Sequence, residues 1–221
     1  MLVLGLDTAT PAVTVAVHDG ERVLAESTVV DARRHGELLA PAVRAVLLEA
    51  GVALGDVDAI VAGTGPGPYT GLRVGLMTAQ ALAATSGVPV YGVCSLDALA
   101  YGSGLDEPFL VLTDARRKEV FWARYADRRT RVEGPSVDSP DGVPGDLPVI
   151  GAGGRMYASV LGQGRVREPG AEYPTGAALA ALAAERLAAG EEIGGVLTEA
   201  RPIYLRRPDA RVPGPPKKVT A

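Results

Sequence analysis

Ala62-Gly63-Thr64-Gly65-Pro66-Gly67-Pro68-Tyr69-Thr70-Gly71-Leu72-Arg73-Val74-Gly75 is the stretch whose reading decides the fold. An apolar run over residues 57–61 precedes it, in the manner of a buried strand, and a helical pattern closed by Gly87 follows. Glycine reaches positive φ without a Cβ clash, while proline sets its own φ and gives up a donor, so the loop between them takes an unusual path. Thr70 is placed to cap the helix with its hydroxyl. Gly71 and Gly75 lie one turn apart, so one stripe of that helix has no side chains and admits another backbone closely. The loop admits two interpretations. A glycine-fed helix N-terminus can hold a phosphate, although the Lys-Ser/Thr ending of a P-loop and the Rossmann spacing are both missing. Alternatively, the loop is a rigid turn that aims a packing helix, and the glycines and prolines alone leave both open.

Working outward, the first residues supply a central strand over 1–6, a polar turn at Asp7-Thr8-Ala9-Thr10-Pro11, and a second apolar run over 12–17. Asp19-Gly20 signals a hairpin, with a return strand over 22–30. Leu38, Leu39, Ala42, Val43, Val46 and Leu47 then recur at helical spacing, predicting a helix over 38–48 that ends at Gly51, with Pro41 delaying or bending its start. The helix after the glycine loop, over 70–86, is apolar or small nearly all round: Leu72, Leu76, Ala79, Leu82 and Ala83 on one side, Gly71, Gly75, Thr78 and Ala81 on the other. Such a helix is buried on more than one side, against its own sheet and against a second partner.

A strand over 88–93 and a short helix from Ser95 to Tyr101 close the first lobe, and Gly102-Ser103-Gly104 marks a boundary. A strand, a turn at 114–118 and two further strands to 137 repeat the opening, with Asp114 placed as Asp7 is. Residues 134–148 have loop composition, 149–154 suggest a strand entering a glycine turn ahead of a helix over 156–161, and 175–189 form an Ala/Leu-rich helix. The expected domains are an N-terminal lobe over 1–101, a smaller C-terminal lobe over 102–207 and a Pro-rich tail over 208–221.

Composition sets outer bounds. The 221 residues, 47% apolar and 22% charged, can bury a sizeable core. A formal net charge of −4 gives no general grip on nucleic acid or an anionic membrane. One cysteine, Cys94, excludes an intrachain disulfide framework, and no apolar run reaches transmembrane length, which together predict a reducing cytoplasm. No catalytic set emerges: no nucleophile sits on a strained elbow, and two scattered histidines, His18 and His35, have no matched carboxylate cluster for a metal.

The string Gly65-Pro66-Gly67-Pro68-Tyr69-Thr70-Gly71-Leu72-Arg73 resembles the Gly-Pro-Gly-Ser-Phe-Thr-Gly-Leu-Arg signature of the bacterial TsaB (YeaZ) family. So do Leu4-Gly5-Leu6-Asp7-Thr8-Ala9-Thr10, Asp58-Ala59-Ile60, 92–100, Asp114-Ala115-Arg116-Arg117 and Tyr204-Leu205-Arg206, so the likeness runs nearly end to end. Pro68 and Tyr69 depart from it and remove a hydroxyl and a backbone N–H from the loop. The resemblance implies an α/β protein with a two-lobe actin-like ATPase (ribonuclease H-like) fold, each lobe a mixed sheet flanked by helices. In that superfamily the first loop approaches nucleotide phosphates. Asp7, Thr8, Thr10, Gly65 and Gly67 therefore mark a degenerate nucleotide site, with Ala9 standing where a glycine is expected.

By the same likeness the chain is a non-catalytic subunit for threonylcarbamoylation of N6 of adenosine 37 in tRNAs reading ANN codons. It would bind a TsaD-type catalytic subunit through His35, Leu38, Leu39, Ala42 and Val46 of one helix and Gly71, Leu72, Gly75, Thr78, Ala79 and Leu82 of the next. A TsaE-type ATPase would assist, tRNA would be met only through the complex, and the chain would pair with itself when alone. No catalytic residue, metal or cofactor of its own is expected, with ATP or ADP and magnesium confined to the interface of the complex. His35 has Leu39 four residues on, so the His-x-x-x-His metal pair of the catalytic family does not exist here. The competing class is an enzyme, either ATP-dependent or a glycoprotease-like metallopeptidase of the same superfamily.

Overall fold

The structure is a computed structural model and describes residues 1–167 and 171–206. The expected tail over 208–221 lies outside the described residues. Among the described residues, nine strands form two mixed sheets. The first holds β1 (Val3–Asp7), β2 (Ala12–His18), β3 (Val23–Val30), β4 (Ala59–Gly63) and β5 (Val90–Val93), in the order β3-β2-β1-β4-β5. β1 pairs antiparallel with β2 and parallel with β4, while β4 pairs parallel with β5. The second holds β6 (Phe109–Asp114), β7 (Val120–Asp127), β8 (Thr130–Asp138) and β9 (Val149–Ile150), in the order β8-β7-β6-β9. This repeats the hairpin and parallel crossover of the first sheet, and Asp114 ends β6 as Asp7 ends β1.

All five residues of β1 are buried because the sheet is covered on both faces. Period-two alternation sends Leu4 and Leu6, with Val13, Val15 and Val17 of β2, to one face. There they meet Leu39, Val43 and Val46 of α1 (His35–Ala50) and Leu76 and Ala79 of α2 (Tyr69–Ser86). Val3, Ala59 and Val61 turn to the other face and meet Leu179, Leu182 and Ala183 of α6 (Gly176–Ala188). Between the sheets lies α3 (Ser95–Ser103), whose Leu96, Leu99 and Ala100 pack on Phe109, Val111 and Tyr125 of the second sheet. Two short helices, α4 (Ala152–Met156) and α5 (Ala158–Leu161), close that sheet's far side.

The sequence expectations require four corrections here. α1 begins three residues earlier than its apolar spacing suggested and carries Pro41 inside it. The Thr70 cap is not formed: α2 starts at Tyr69 with Pro68 as its N-cap, since Pro68 already holds extended φ/ψ and cannot be helical interior. The single helix expected over 156–161 is two short ones that begin immediately after Gly151. The division at 101/102 fails as a spatial boundary. α3 packs on the second sheet and on α6, while α6 crosses back to cover β1 and β2 of the first. An apolar stripe states that a helix is buried without stating against which sheet.

The return of α6 depends on glycines meeting glycines. A Cβ on Gly5 would stand 2.6 Å from the Gly176 carbonyl oxygen, and one on Gly176 would stand 2.6 Å from the Val15 carbonyl carbon. The Gly176 N–H donates to the buried Thr14 hydroxyl at 2.7 Å, and Thr175 caps the helix by accepting from the Ala178 N–H at 3.0 Å. Gly176→Ala is therefore expected to lower stability by about 1–3 kcal/mol through overpacking against backbone. Urea unfolding with an unchanged m-value checks it; an unaltered midpoint would refute it.

Candidate functional site

The candidate site is the cleft where the turn after β1, the glycine loop after β4 and the starts of α1, α2 and α3 converge. Thr8 occupies its centre. Its hydroxyl accepts from the Gly75 N–H at 2.9 Å and donates to the Gly71 carbonyl at 2.7 Å, spanning two groups that lie one helical turn apart. A Cβ on Gly71 would fall 2.6 Å from the Thr8 carbonyl oxygen, and one on Gly75 would fall 2.6 Å from the Thr8 hydroxyl oxygen. The glycine stripe is thus buried against the chain's own first loop. Gly71, Leu72, Gly75 and Ala79, expected to face a partner, are buried, as are Leu39 and Val46 of α1. His35, Leu38, Ala42, Thr78 and Leu82 are half-buried at the rim. The outer surface of the two helices carries further apolar groups that were not singled out as interface residues. Ala45 and Leu48 of α1 and Met77 and Ala81 of α2 are exposed, with Leu48 at 80% and Met77 at 54%. Their i, i+3 and i, i+4 spacing was the available signal, but the glycines one face away were the more conspicuous one.

Asp7 is buried and both its oxygens are engaged. Oδ1 accepts from the Ala9 N–H at 2.6 Å and Oδ2 from the Ser95 hydroxyl at 2.5 Å. Ser95 in turn accepts from the Gly65 N–H at 3.0 Å, and its own N–H donates to the Gly65 carbonyl at 2.8 Å. A Cβ on Gly63 would overlap the Asp7 carboxylate, which explains the glycine at the end of β4. Burial pushes the Asp7 carboxyl up to about 6, against the opposing hydrogen bonds from Ser95 and Ala9 and the nearby His35. Gly67 packs directly on the Ala9 backbone, where its Cβ would approach the carbonyl oxygen to 2.1 Å.

His35 Nε2 lies 2.8 Å from the Thr10 carbonyl, so the Nε2–H tautomer donates there and ties α1 to the first loop. Thr10 spends its hydroxyl oxygen on the Ala12 N–H at 3.2 Å. Opposite, the β6–β7 turn presents Arg116, Arg117 and Lys118 at φ of 62°, 54° and 61°, three successive left-handed residues without glycine, and Arg116 reaches the cleft wall. The remaining cavity measures about 180 Å³. That is below the range of small-molecule and cofactor sites, roughly 300–1,000 Å³.

These residues do not fit a magnesium–nucleotide held within this chain. The acidic group is sequestered by the chain's own donors, the cradle beside Ala9 is filled by Gly67, and the space left is too small. Asp7, Thr8, Thr10, Gly65 and Gly67 lie together in one interlocked packing unit. Cys94 is buried beneath α3, and desolvation together with the Asp97 carboxylate pushes its thiol up to about 12, so no thiolate nucleophile exists at neutral pH. Among the described residues no group of three His, Cys, Asp or Glu side chains could hold a metal, and no helix is long and apolar enough to cross a membrane.

Two sheets of the same strand order, stacked through a shared helix, define a two-lobe α/β protein of the actin-like, ribonuclease H-like class. Residues 22–154 match the family model described as TsaD: tRNA N6-adenosine threonylcarbamoyltransferase. An uncharacterized protein of Mycobacterium tuberculosis is 44% identical over 212 residues, covering 95% of this chain and 93% of that one. The Escherichia coli protein named tRNA threonylcarbamoyladenosine biosynthesis protein TsaB is 31% identical over 227 residues, covering 93% and 95%. The solved structure of YeaZ from Pseudomonas aeruginosa superposes with a TM-score of 0.78 at 32% identity, covering 92% of this chain and 99% of that one. The chain belongs to the TsaB (YeaZ) family.

A raised carboxyl has a definite consequence for stability. The folded protein holds the Asp7 proton up to about pH 6, whereas the unfolded chain releases it near its ordinary 3.8. Stability from this group is full below pH 4 and is lost as pH rises to 6, at about 1.4 kcal/mol per pH unit. Asp7→Asn should remove that decline, so the difference in urea midpoint between variant and wild type should grow in the variant's favour from pH 4 to 6. Parallel curves would show that Asp7 is not desolvated as described.

Proposed function

We propose that this chain is an accessory, non-catalytic subunit in threonylcarbamoyladenosine synthesis on tRNA. In this reading it docks a TsaD-type catalytic subunit through the outer face of α1 and α2 and orders that subunit's nucleotide-facing lobe. The catalytic subunit then modifies N6 of adenosine 37 in tRNAs reading ANN codons, assisted by a TsaE-type ATPase. The tRNA is met only through the complex.

The observation that carries this proposal is the set of exposed apolar residues on α1 and α2, Ala45, Leu48, Met77 and Ala81, together with a cleft whose buried carboxylate, Asp7, is hydrogen-bonded to Ser95 and Ala9. Exposed Leu48 and Met77 on neighbouring helices offer the central anchors of a helix-on-helix interface, with Arg44, Glu49 and Arg73 around them as a polar rim. The name carried by the Escherichia coli relative supports the pathway. Differential binding is sufficient for the effect: a subunit that binds one conformation of its partner more tightly shifts the population toward it, without touching the reacting atoms. Any ATP or ADP with magnesium is held at the subunit interface, since Asp7 is buried and hydrogen-bonded to Ser95 and Ala9. In the absence of the partner, the same apolar face pairs two copies of this chain.

The ATP-dependent alternative requires Asp7 to be released from Ser95 and Ala9 and Gly67 to leave the Ala9 backbone. No observed group compensates for either.

The glycine stripe and the outer face give different outcomes. A glutamate at Met77 or Leu48 introduces a charge onto an exposed surface and should leave folding intact while cutting capture of the catalytic subunit by at least about tenfold. Gly75→Ala should instead lower the melting temperature of the isolated chain, because its methyl group meets the Thr8 hydroxyl. Size-exclusion co-elution and thermal melts check both. Undiminished co-elution of the Leu48→Glu/Met77→Glu double variant would refute the docking face.

A further inference from the structure

The edge strands of the two sheets are β3, β5, β8 and β9, and they are not alike. β5 is covered by the segment around Thr198, which exchanges backbone hydrogen bonds with Gly92 at 2.8 and 2.9 Å. β9 is covered by a bridge to Val166, and the Arg167 N–H donates to the Val149 carbonyl at 2.9 Å. β8 is blunted instead: it carries Arg131, Glu133 and Pro135, and its register with β7 shifts at three places. β3 has none of these devices. From Ala25 to Val30 it pairs with β2 without a break in register, it contains no proline or lysine, and Glu26 is its one charge. Among the described residues no backbone bond reaches its outer side, and Val23, Val29 and Val30 are exposed at 39%, 40% and 58%.

We propose that β3 is the contact between two copies of this chain, joined antiparallel about a two-fold axis so that their five-stranded sheets continue as one. The pleat decides which groups are available. The Asp31 N–H donates to the Pro11 carbonyl, so by alternation residues 29, 27 and 25 spend their backbone groups on β2. Glu26, Thr28 and Val30 therefore turn N–H and C=O outward. Charge and shape then select the register. Glu26 opposite Glu26 of the second copy would set two carboxylates side by side, which is unfavourable. Thr28 on the axis would set Glu26 against the exposed Val30 of the second copy. With Ser27 on the axis, Glu26 of each strand faces Thr28 of the other, and exposed Val29 covers the small Ala25. The same register brings the Glu21 end of one strand to the Arg33 end of the other. Both side chains are exposed and neither has an ion pair among the described residues, so their charges are complementary across the axis. The contact is isologous and closes on two copies, because β5, at the far edge of the sheet, is already covered. It uses none of the exposed residues of α1 and α2 and stands independently of the docking face there.

The test is sedimentation velocity on the full chain carrying Leu48→Glu and Met77→Glu, which removes self-pairing through the helices. A dimer is expected to form with a dissociation constant below about 100 µM. Val30→Pro in that background removes an outward N–H that serves no bond within the chain, and should weaken dimerisation at least about tenfold. Ser27→Cys reads the register directly. On the axis of a non-hydrogen-bonded pair two Cα atoms stand about 4.5 Å apart, within reach of a disulfide. Mild oxidation should cross-link Ser27→Cys much faster than Thr28→Cys, which lies off the axis, while native Cys94 is buried and stays silent. Cross-linking also serves as the readout if Val30→Pro lowers the melting temperature. A monomer at about 200 µM, a dimer indifferent to Val30→Pro, or Thr28→Cys cross-linking as fast as Ser27→Cys overturns the proposal.

Discussion

The position of the Thr8 hydroxyl between the Gly71 carbonyl and the Gly75 N–H is the constraint on which the rest of this structure depends. A side-chain oxygen can lie across a helical turn only if no Cβ shields that face, and both glycines meet the condition. Once α2 is held there, its first turn lies on the loop after β1 and carries the glycine-proline segment behind it onto Ala9. α1 is tied to the same loop through His35 and Thr10, so the two helices have a fixed relation to the sheet and to each other. Their outward face is a rigid platform as a result.

The same lock determines what the cleft can do. In a fold whose duplicated sheets leave a crevice between lobes, the end of the first strand is where an acidic side chain can meet a ligand. Here the chain's own groups occupy that place. Ser95 and the Ala9 N–H take the Asp7 carboxylate, and Gly67 takes the space beside the backbone. The result is a hydrogen-bonded joint between β1, β4 and α3. The carboxyl remains raised because two hydrogen bonds offset only part of its desolvation.

Close approach recurs on the opposite face of the first sheet, where Gly5 and Gly176 let the start of α6 touch β1 and β2. With glycines used for contact on both sides of one sheet, the layers stand nearer than side chains would allow. The segment from residue 104 to 167 is then enclosed between two elements of the first lobe, α3 before it and α6 after it.

Much of this was legible in the order of residues. Continuous apolar runs marked β1 and β4, Asp19-Gly20 marked the hairpin between β2 and β3, and Gly51 and Gly87 marked helix ends, because each depends on a local backbone preference. The signature around Gly65 to Arg73 identified the family, and the repeat of Asp7 by Asp114 anticipated two related sheets. The direction in which the glycines face was not legible. Gly71 and Gly75 reveal that something comes close, and only the fold decides that it is Thr8 rather than another chain. The return of α6 to the first sheet and the fate of the Asp7 carboxylate were hidden for the same reason. Sequence by itself determined which segments are strand, helix and turn and to which family they belong, because those follow from local sterics and from a continuous string of residues. Which buried surfaces meet, and which helix face is left exposed, was decided by the tertiary structure alone, because packing joins residues far apart in the chain.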